Sequence, residues 1–261
     1  MSHTQTTAID SLSVAIIARD EERHIGEAIA SVAGLAGDVL ALIDDRTRDA
    51  TADTCRARGA RVEIEPWRGF PAQRNRAIGL CTGDWVLFLD ADERVTPELA
   101  MEIRATLNAD PPLAGYWIPR YNLFFGRRVF GGGWYPDPQL RLLRRGRARY
   151  DETRLVHEFA ELDGPAGQLH GHLLHLNIER FDELWRKQRS YAIQEAHTLY
   201  LSGVRARWRN FGGAPVREFY RRFITLRGYR DGALGLVLCA TLALFEVVKY
   251  AHLKGLPEQG R

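Results

Sequence analysis

Four short apolar runs recur through the first ninety residues, each separated from the next by a stretch with helical signals. No other feature constrains the fold as much. Residues 12–18 read LSVAIIA, 38–43 DVLALI, 60–64 ARVEI and 84–89 DWVLFL. Runs of this length and composition are buried strands. After the first, Asp20 is expected to cap a helix with Glu21 and Glu22 in its first turn and Ile25, Ala28, Ile29 and Val32 on its apolar face. Thr51 to Arg58, closed by Gly59, and Pro71 to Gly79 give two more helices. A fourth follows the last strand, with Thr96 as cap and Pro97 in the first position. The order βαβαβαβα predicts a mostly parallel sheet with helices on both faces, an α/β fold.

Acidic residues end two of these strands. Asp44-Asp45 follows the second and Asp90-Ala91-Asp92-Glu93 the fourth. Ligands of open parallel sheets bind beyond the carboxyl ends of the strands, so two acidic clusters there mark a candidate site. One cavity shared by Asp44, Asp90 and Asp92 is expected.

From Gly115 the texture changes. GYWIPRYNLFFG, QLRLLRR and LLHLNIE read as strands of a mixed or antiparallel extension, separated by loops rich in Gly and Pro. A helical pattern runs from Phe181 through FDELWRKQRSYAIQEAHTLYL, and a turn is expected around Gly212-Gly213-Ala214-Pro215. The last apolar run, Ala233 to Phe245, has 13 uncharged residues before Glu246 interrupts it. That is short of the roughly 20 residues of a spanning helix. Three regions result: 10–110, 111–180 and a helical region, 181–261.

Composition excludes several classes. With 45% hydrophobic and 26% charged residues in 261, the chain can build a sizeable core. Cys55, Cys81 and Cys239 are far apart and form no CxxC pair, so neither a zinc site nor a disulfide framework is expected. A reducing cytosolic setting fits them. Residues 1–7 are polar, and no secretory signal is expected.

The residue types then point to chemistry. Two carboxylates at i and i+2 on a strand-end turn can converge on a divalent cation, and Mg²⁺ and Mn²⁺ prefer oxygen ligands shared with substrate phosphates. The competing reading is a turn of solvated acids. Asp44 is placed to accept hydrogen bonds from a nucleotide, whereas Asp49 also suits a helix N-cap. The loop from Trp67 to Asn75 combines aromatics, Gly69 and two arginines, and Arg74 suits a diphosphate. Glu158, beside His157, is a candidate general base, with Asp137 of the Tyr135-Pro136-Asp137-Pro138 loop as the next. His175 sits in an apolar strand, where a satisfied core histidine competes with a metal ligand.

In order along the chain, VAIIARDEERHIGEAIASV, IDDRTRDAT, WRGFPAQRNRAI and GDWVLFLDADERVTPEL resemble family 2 glycosyltransferases. PDPQLRLLRRG, RLVHE and the Lys187…Tyr191 spacing resemble the bacterial branch with lipopolysaccharide-core β-1,4-glucosyltransferases. The resemblance implies the GT-A fold, with 10–110 as the nucleotide-sugar-binding half, 111–180 as the acceptor-binding and catalytic half and 181–261 as a membrane-associating helical tail, and an inverting transfer from a nucleoside-diphosphate sugar, in particular a UDP-hexose. It implies a lipid-linked or lipopolysaccharide-core glycan as acceptor. It also implies donor contacts from Ala18, Glu21, Asp44, Arg74, Asp90, Ala91 and Asp92, a Mg²⁺ or Mn²⁺ ion held through Asp92 and His175, and Glu158 as base. Where the family has small residues after its nucleotide-contacting Asp, this chain has Asp45-Arg46-Thr47-Arg48.

Two other classes compete. A sugar nucleotidyltransferase would show a basic Gly-rich loop after the first strand, and Ala18-Arg19-Asp20-Glu21-Glu22 is acidic. A catalytically inactive membrane scaffold of the same fold is the other; retention of Asp90, Asp92 and Glu158 argues against it. Between Arg205 and Arg230 lie eight Arg, several aromatics and one acid, Glu218. This stretch reads as attachment to an anionic bilayer at the cytoplasmic face of the inner membrane, peripheral or monotopic. A packed helix with a solvated Arg face and a nucleic-acid grip compete, and no nucleic-acid partner is expected beside the acidic site.

Overall fold

The computed structural model describes residues 8–110, 112–153 and 160–257. It divides into two compact units, residues 1–120 with 138–175, and 121–137 with 176–261.

The first unit opens with β1 (Ile9–Ala18), α1 (Ile25–Ser31), β2 (Ala36–Asp44), α2 (Thr51–Ala57), β3 (Arg61–Glu65), α3 (Phe70–Leu80) and β4 (Trp85–Phe88). Then come β5 (Glu93–Val95), α4 (Pro97–Asn108) and β6 (Gly115–Ile118). Strand β7 (Arg120–Phe124) leads into the second unit, where β8 (Arg127–Arg128) pairs with it. The chain returns to the first unit for β9 (Gln139–Arg144), β10 (Ala148–Tyr150), β11 (Ala160–Leu162) and β12 (Ala166–Gln168). Strand β13 (Leu173–Ile178) leads back to the helices α5 (Phe181–Leu201), α6 (Trp208–Tyr220) and α7 (Gly232–Gly255).

Seven strands form the main sheet in the order β12-β6-β9-β4-β1-β2-β3. β4, β1, β2 and β3 run parallel, as does β12 with β6, and β9 is antiparallel to both its neighbours. The alternation of strand and helix therefore gives the expected parallel core, and β9 makes the sheet mixed. Side chains alternate in β1: Val14 and Ile16 pack with α1 and α4, while Ala15 packs on the other face with Leu40, Leu42, Ala77 and Phe88. Burial on both faces is why these strands read as continuous apolar runs.

β4 lies on one side of β1 and β2 on the other. The chain direction across the sheet reverses there, and the crevice beyond the strand ends at such a switch point is where ligands seat. The fourth helix starts as its sequence dictates, with Thr96 Oγ1 accepting from Leu99 N at 3.3 Å and Pro97 at its head. Gly69, at φ 96°, occupies the left-handed region and turns the chain into α3.

In the second unit, Phe124, Val129, Ile178, Leu184 and Leu238 make a small core. Two expectations are corrected here. Gly212 to Pro215 form no turn but lie inside α6, with Ala214 buried. Packing of the whole of α6 along α7, rather than intrinsic propensity, holds these residues helical despite two Gly and one Pro. The last apolar segment is also longer than its 13 uncharged residues, because the helix continues through Glu246. Lys249 Nζ pairs with the Glu246 carboxylate within the helix, and α7 spans 24 residues in all. By length and composition alone, this helix is long and apolar enough to cross a membrane.

Candidate functional site

Asp20, Glu21 and Glu22 leave β1 as a loop, with Asp20 at φ 54°. None of them caps α1, whose N-cap is His24. They clasp the segment before α2 instead. Asp20 Oδ1 accepts from Arg48 N at 2.8 Å and Glu22 Oε2 from Ala50 N at 2.9 Å. In return, Glu22 N donates to Asp49 Oδ2 and Glu21 N to Thr51 Oγ1. A nearby backbone with unmet N–H groups thus outcompetes the local helix end. Asp49 also accepts from Thr51 N at 3.0 Å, close to its cap reading, although Ala50 holds the N-cap position.

A cavity of about 420 Å³ opens beyond the strand ends, lined by Ile17, Glu21, Phe70, Arg74, Asp90, Ala91 and Asp92. Four polar candidates from the sequence, Glu21, Arg74, Asp90 and Asp92, therefore meet. Ala91 joins them, and its carbonyl accepts from Arg94 Nη1 at 2.8 Å. Ala18, the last residue of β1, is buried in register with Ile43.

Asp44 does not line this cavity, which corrects the expectation of one shared space. It is buried at the end of β2, and Arg46 folds back on it as a two-pronged fork. Arg46 Nε donates to Oδ1 at 3.0 Å and Nη2 to Oδ2 at 2.8 Å. These bonds hold the Asp44 carboxyl down at about 2. The unusual Arg46, in place of a small residue, makes this fork.

The two acids of the DxD turn differ sharply. Asp90 is neutralised by arginines: Arg141 forks onto it, and Arg74 Nη2 stands 3.9 Å away. Burial would raise the Asp90 carboxyl, but these charges prevail and hold it at about 2. The two carboxylates therefore have different partners. Asp92 turns toward His175 instead. Antiparallel pairing of β5 with β13 sets His175 opposite Glu93, and His175 Nε2 lies 3.3 Å from Asp92 Oδ2.

Beneath the turn lies an ionic network that the sequence reading missed. Glu93 is fully buried; its Oε1 accepts from Arg120 Nη1 at 2.8 Å and Arg141 Nη2 at 3.1 Å, and its Oε2 from Asp90 N at 3.0 Å. Arg141 is 5% exposed, and its Nε has no hydrogen-bond partner among the described residues. One signal was available: Arg141 is a lone charge between leucines in a strand, which in a buried sheet needs a carboxylate partner. Arg141→Met is expected to lower unfolding free energy by ~3–5 kcal/mol, because it strips one cation from a buried carboxylate. Urea unfolding followed by tryptophan fluorescence measures this, and a loss below ~1 kcal/mol would mean the network carries little stability.

Glu21 completes the electrostatics. Burial, and then the charges of Asp92, Asp49, Asp90 and Asp20, push its carboxyl up to about 7. The cavity thus gathers mutually repelling carboxylates, with the Arg74 guanidinium in the same lining. Arg74 also lies over the Phe88 ring at 5.0 Å and the Tyr150 ring at 5.5 Å, which fixes its direction.

No group of three or more potential metal-ligating His, Cys, Asp or Glu occurs among the described residues. His157 and Glu158 lie outside the described residues. Asp137, in the second unit, accepts from Asn122 Nδ2 at 2.9 Å; Asn177 donates to Asn122, and Lys187 Nζ to Asn177.

The chain has clear relatives. It is 29% identical over 253 residues to the lipopolysaccharide core biosynthesis glycosyltransferase LpsC of Rhizobium meliloti, covering 93% of this chain and 91% of that one. An uncharacterized glycosyltransferase of Rickettsia typhi is 26% identical, covering 96% and 89%. Among solved structures, Staphylococcus aureus TarS 1–349 in complex with UDP is similar with a TM-score of 0.47 and 15% identity, over 93% of this chain and 90% of that one. The Glycosyl transferase family 2 profile matches residues 13–158, which include β1, the Asp44 turn, the DxD turn and Arg141. More than half of the chain, with every residue that lines the cavity, is thereby accounted for, and the protein is a glycosyltransferase of family 2, built on the GT-A fold.

Proposed function

We propose that this glycosyltransferase moves a hexose from a UDP-sugar to a lipid-linked or lipopolysaccharide-core glycan, with inversion at the anomeric carbon. The observation that carries the reading is the cavity at the switch point, whose lining brings Glu21, Asp90 and Asp92 together with Arg74. A nucleoside diphosphate with a divalent cation matches that charge pattern.

The donor set suits such a cation. Asp92 offers a hard oxygen and His175 an imidazole nitrogen, 3.3 Å apart. With only these two protein ligands, the remaining positions fall to diphosphate oxygens and water, as is usual for Mg²⁺ sites. A Mg²⁺ or Mn²⁺ ion bound there would offset the charge that grows on the leaving diphosphate.

The other roles belong to the chain itself. Arg74, held over two rings, pairs with the diphosphate. Asp90 stays ionised under its arginines and fixes the turn that presents Asp92. Asp44 accepts hydrogen bonds from the nucleoside once the half-exposed Arg46 swings aside. Glu158 takes the proton of an acceptor hydroxyl, which attacks from the face opposite the diphosphate. An α-linked donor then yields a β linkage.

A donor screen with core-glycan acceptors, followed by linkage analysis of the product, tests this. The expected result is UDP release that needs both acceptor and divalent cation, with a β-linked hexose in the product. Consumption of a nucleoside triphosphate instead would indicate a nucleotidyltransferase, and neither activity would leave an inactive scaffold.

The same proposal places the protein on the cytoplasmic face of the inner membrane. Trp208, Val216, Tyr220 and Ile224 are 80, 68, 61 and 45% exposed, spaced by multiples of four along α6 and the turn after it. Val216, Tyr220 and Ile224, each four residues on from the last, are neighbours on the surface, Trp208 lies two turns before Val216, and Arg209, Arg217 and Arg221 directly follow Trp208, Val216 and Tyr220 in sequence. An apolar stripe edged with arginine suits an anionic bilayer. The full chain should float with anionic liposomes, and a Trp208→Ser, Val216→Ser, Tyr220→Ser variant should float far less. Equal flotation of both, or none of either, would remove this surface from consideration.

A further inference from the structure

The helical unit holds a cavity of its own, about 240 Å³, between α5, α6 with the turn that follows it, and α7. Its floor is ionic. Arg222 Nε meets Glu218 Oε1 at 2.5 Å, and Lys249 pairs with both Glu246 and Glu195. The side chains of Glu218, Arg222, Glu246 and Lys249 are only 12–22% exposed. Tyr191, 47% exposed, stands at the rim with Gln188, and Trp134 lines the cavity beside Arg222, whose guanidinium lies 5.3 Å from the ring centre.

A junction built for stability alone would not look like this. Interiors pack without large voids, and buried ion pairs are commonly matched or bettered by apolar side chains of the same volume. Here four partly buried charges surround open space. Three carboxylates, Glu195, Glu218 and Glu246, meet three cations, because Arg221 also pairs with Glu218 beside Arg222, so no net charge is left over and each cation is already paired. That disfavours phosphate and carboxylate ligands. Hydroxyl groups, which both donate and accept, can use the remaining lone pairs and N–H groups. Aromatic walls with a few convergent polar groups are the usual make-up of a small-molecule site.

We propose that this recess binds a neutral pyranose sugar, the ring face on Tyr191 and the hydroxyls on the Glu246–Lys249 and Glu218–Arg222 pairs. The identification of its natural ligand as a unit of the acceptor glycan rests on the transfer reading above; the binding itself does not.

The test is calorimetry and saturation-transfer NMR on the full chain with methyl β-glucopyranoside and N-acetylglucosamine. Glucuronate and glucose 6-phosphate serve as charged controls. Saturable binding of a neutral sugar is expected, with weaker binding of the charged ones. Tyr191→Ala should weaken it about tenfold, and Gln188→Ala should weaken it too. Both residues are at the rim, so the fold should persist, and UDP binding in the same samples should be unchanged. Absence of saturable binding, preference for the charged sugars, or equal binding by both variants would overturn the proposal. Loss of UDP binding with sugar binding intact would instead count against the donor site.

Discussion

Asp92→Asn is expected to lower transfer by ~10²–10³-fold while leaving the fold in place. The figure is that for removing one group that stabilises charge in a transition state. Asp90 is committed to Arg141 and Arg74, so Asp92 is the DxD carboxylate left to hold a cation beside the diphosphate. The substitution keeps shape and removes charge. Its side chain is 36% exposed, so the stability change should be small. Steady-state kinetics with the preferred UDP-sugar measure the effect, with urea unfolding as the control. Turnover near that of the wild type would remove Asp92 from the metal-diphosphate role.

Glu158→Gln should cut transfer by ~10²–10⁴-fold, the usual span for a general base. Its signature differs from that of Asp92→Asn. A base acts on the acceptor hydroxyl, so UDP binding and its cation dependence should survive in full. Measuring UDP binding beside transfer separates the two. If both fall together, Glu158 is a binding or structural residue, and Asp137 becomes the base to test. Asp137 is already oriented by the Lys187–Asn177–Asn122 chain of hydrogen bonds. That chain would hold its carboxylate in one direction, as a base requires.

Local chemistry was legible in the sequence where the cause is local. Thr96-Pro97 announces the start of α4 because a cap hydroxyl and a ring-locked φ act within one turn. The parallel strands were legible because continuous burial writes itself as apolar runs. Features set by distant residues were not. Asp20 looked like a cap for α1, but the Arg48 backbone, 28 residues on, takes its carboxylate. Asp90 and Asp92 look equivalent in a DxD pattern; Arg141, 51 positions away, makes them different. His175 reaches Asp92 only because β13 pairs with β5. The run from Ala233 to Phe245 reads as too short to span because Glu246 interrupts it, whereas a lysine one turn on pairs with Glu246 and the helix continues to Gly255.

The central claim is that Asp92 and His175 hold a cation that joins a nucleoside diphosphate to this cavity. Calorimetric titration of UDP into the protein, with MnCl₂ or with EDTA, tests it most directly. The wild type should bind UDP at least tenfold more tightly with Mn²⁺ than with EDTA, and Asp92→Asn and His175→Ala should lose that enhancement. UDP affinity that is the same in EDTA, or an enhancement that both variants keep, would contradict the account.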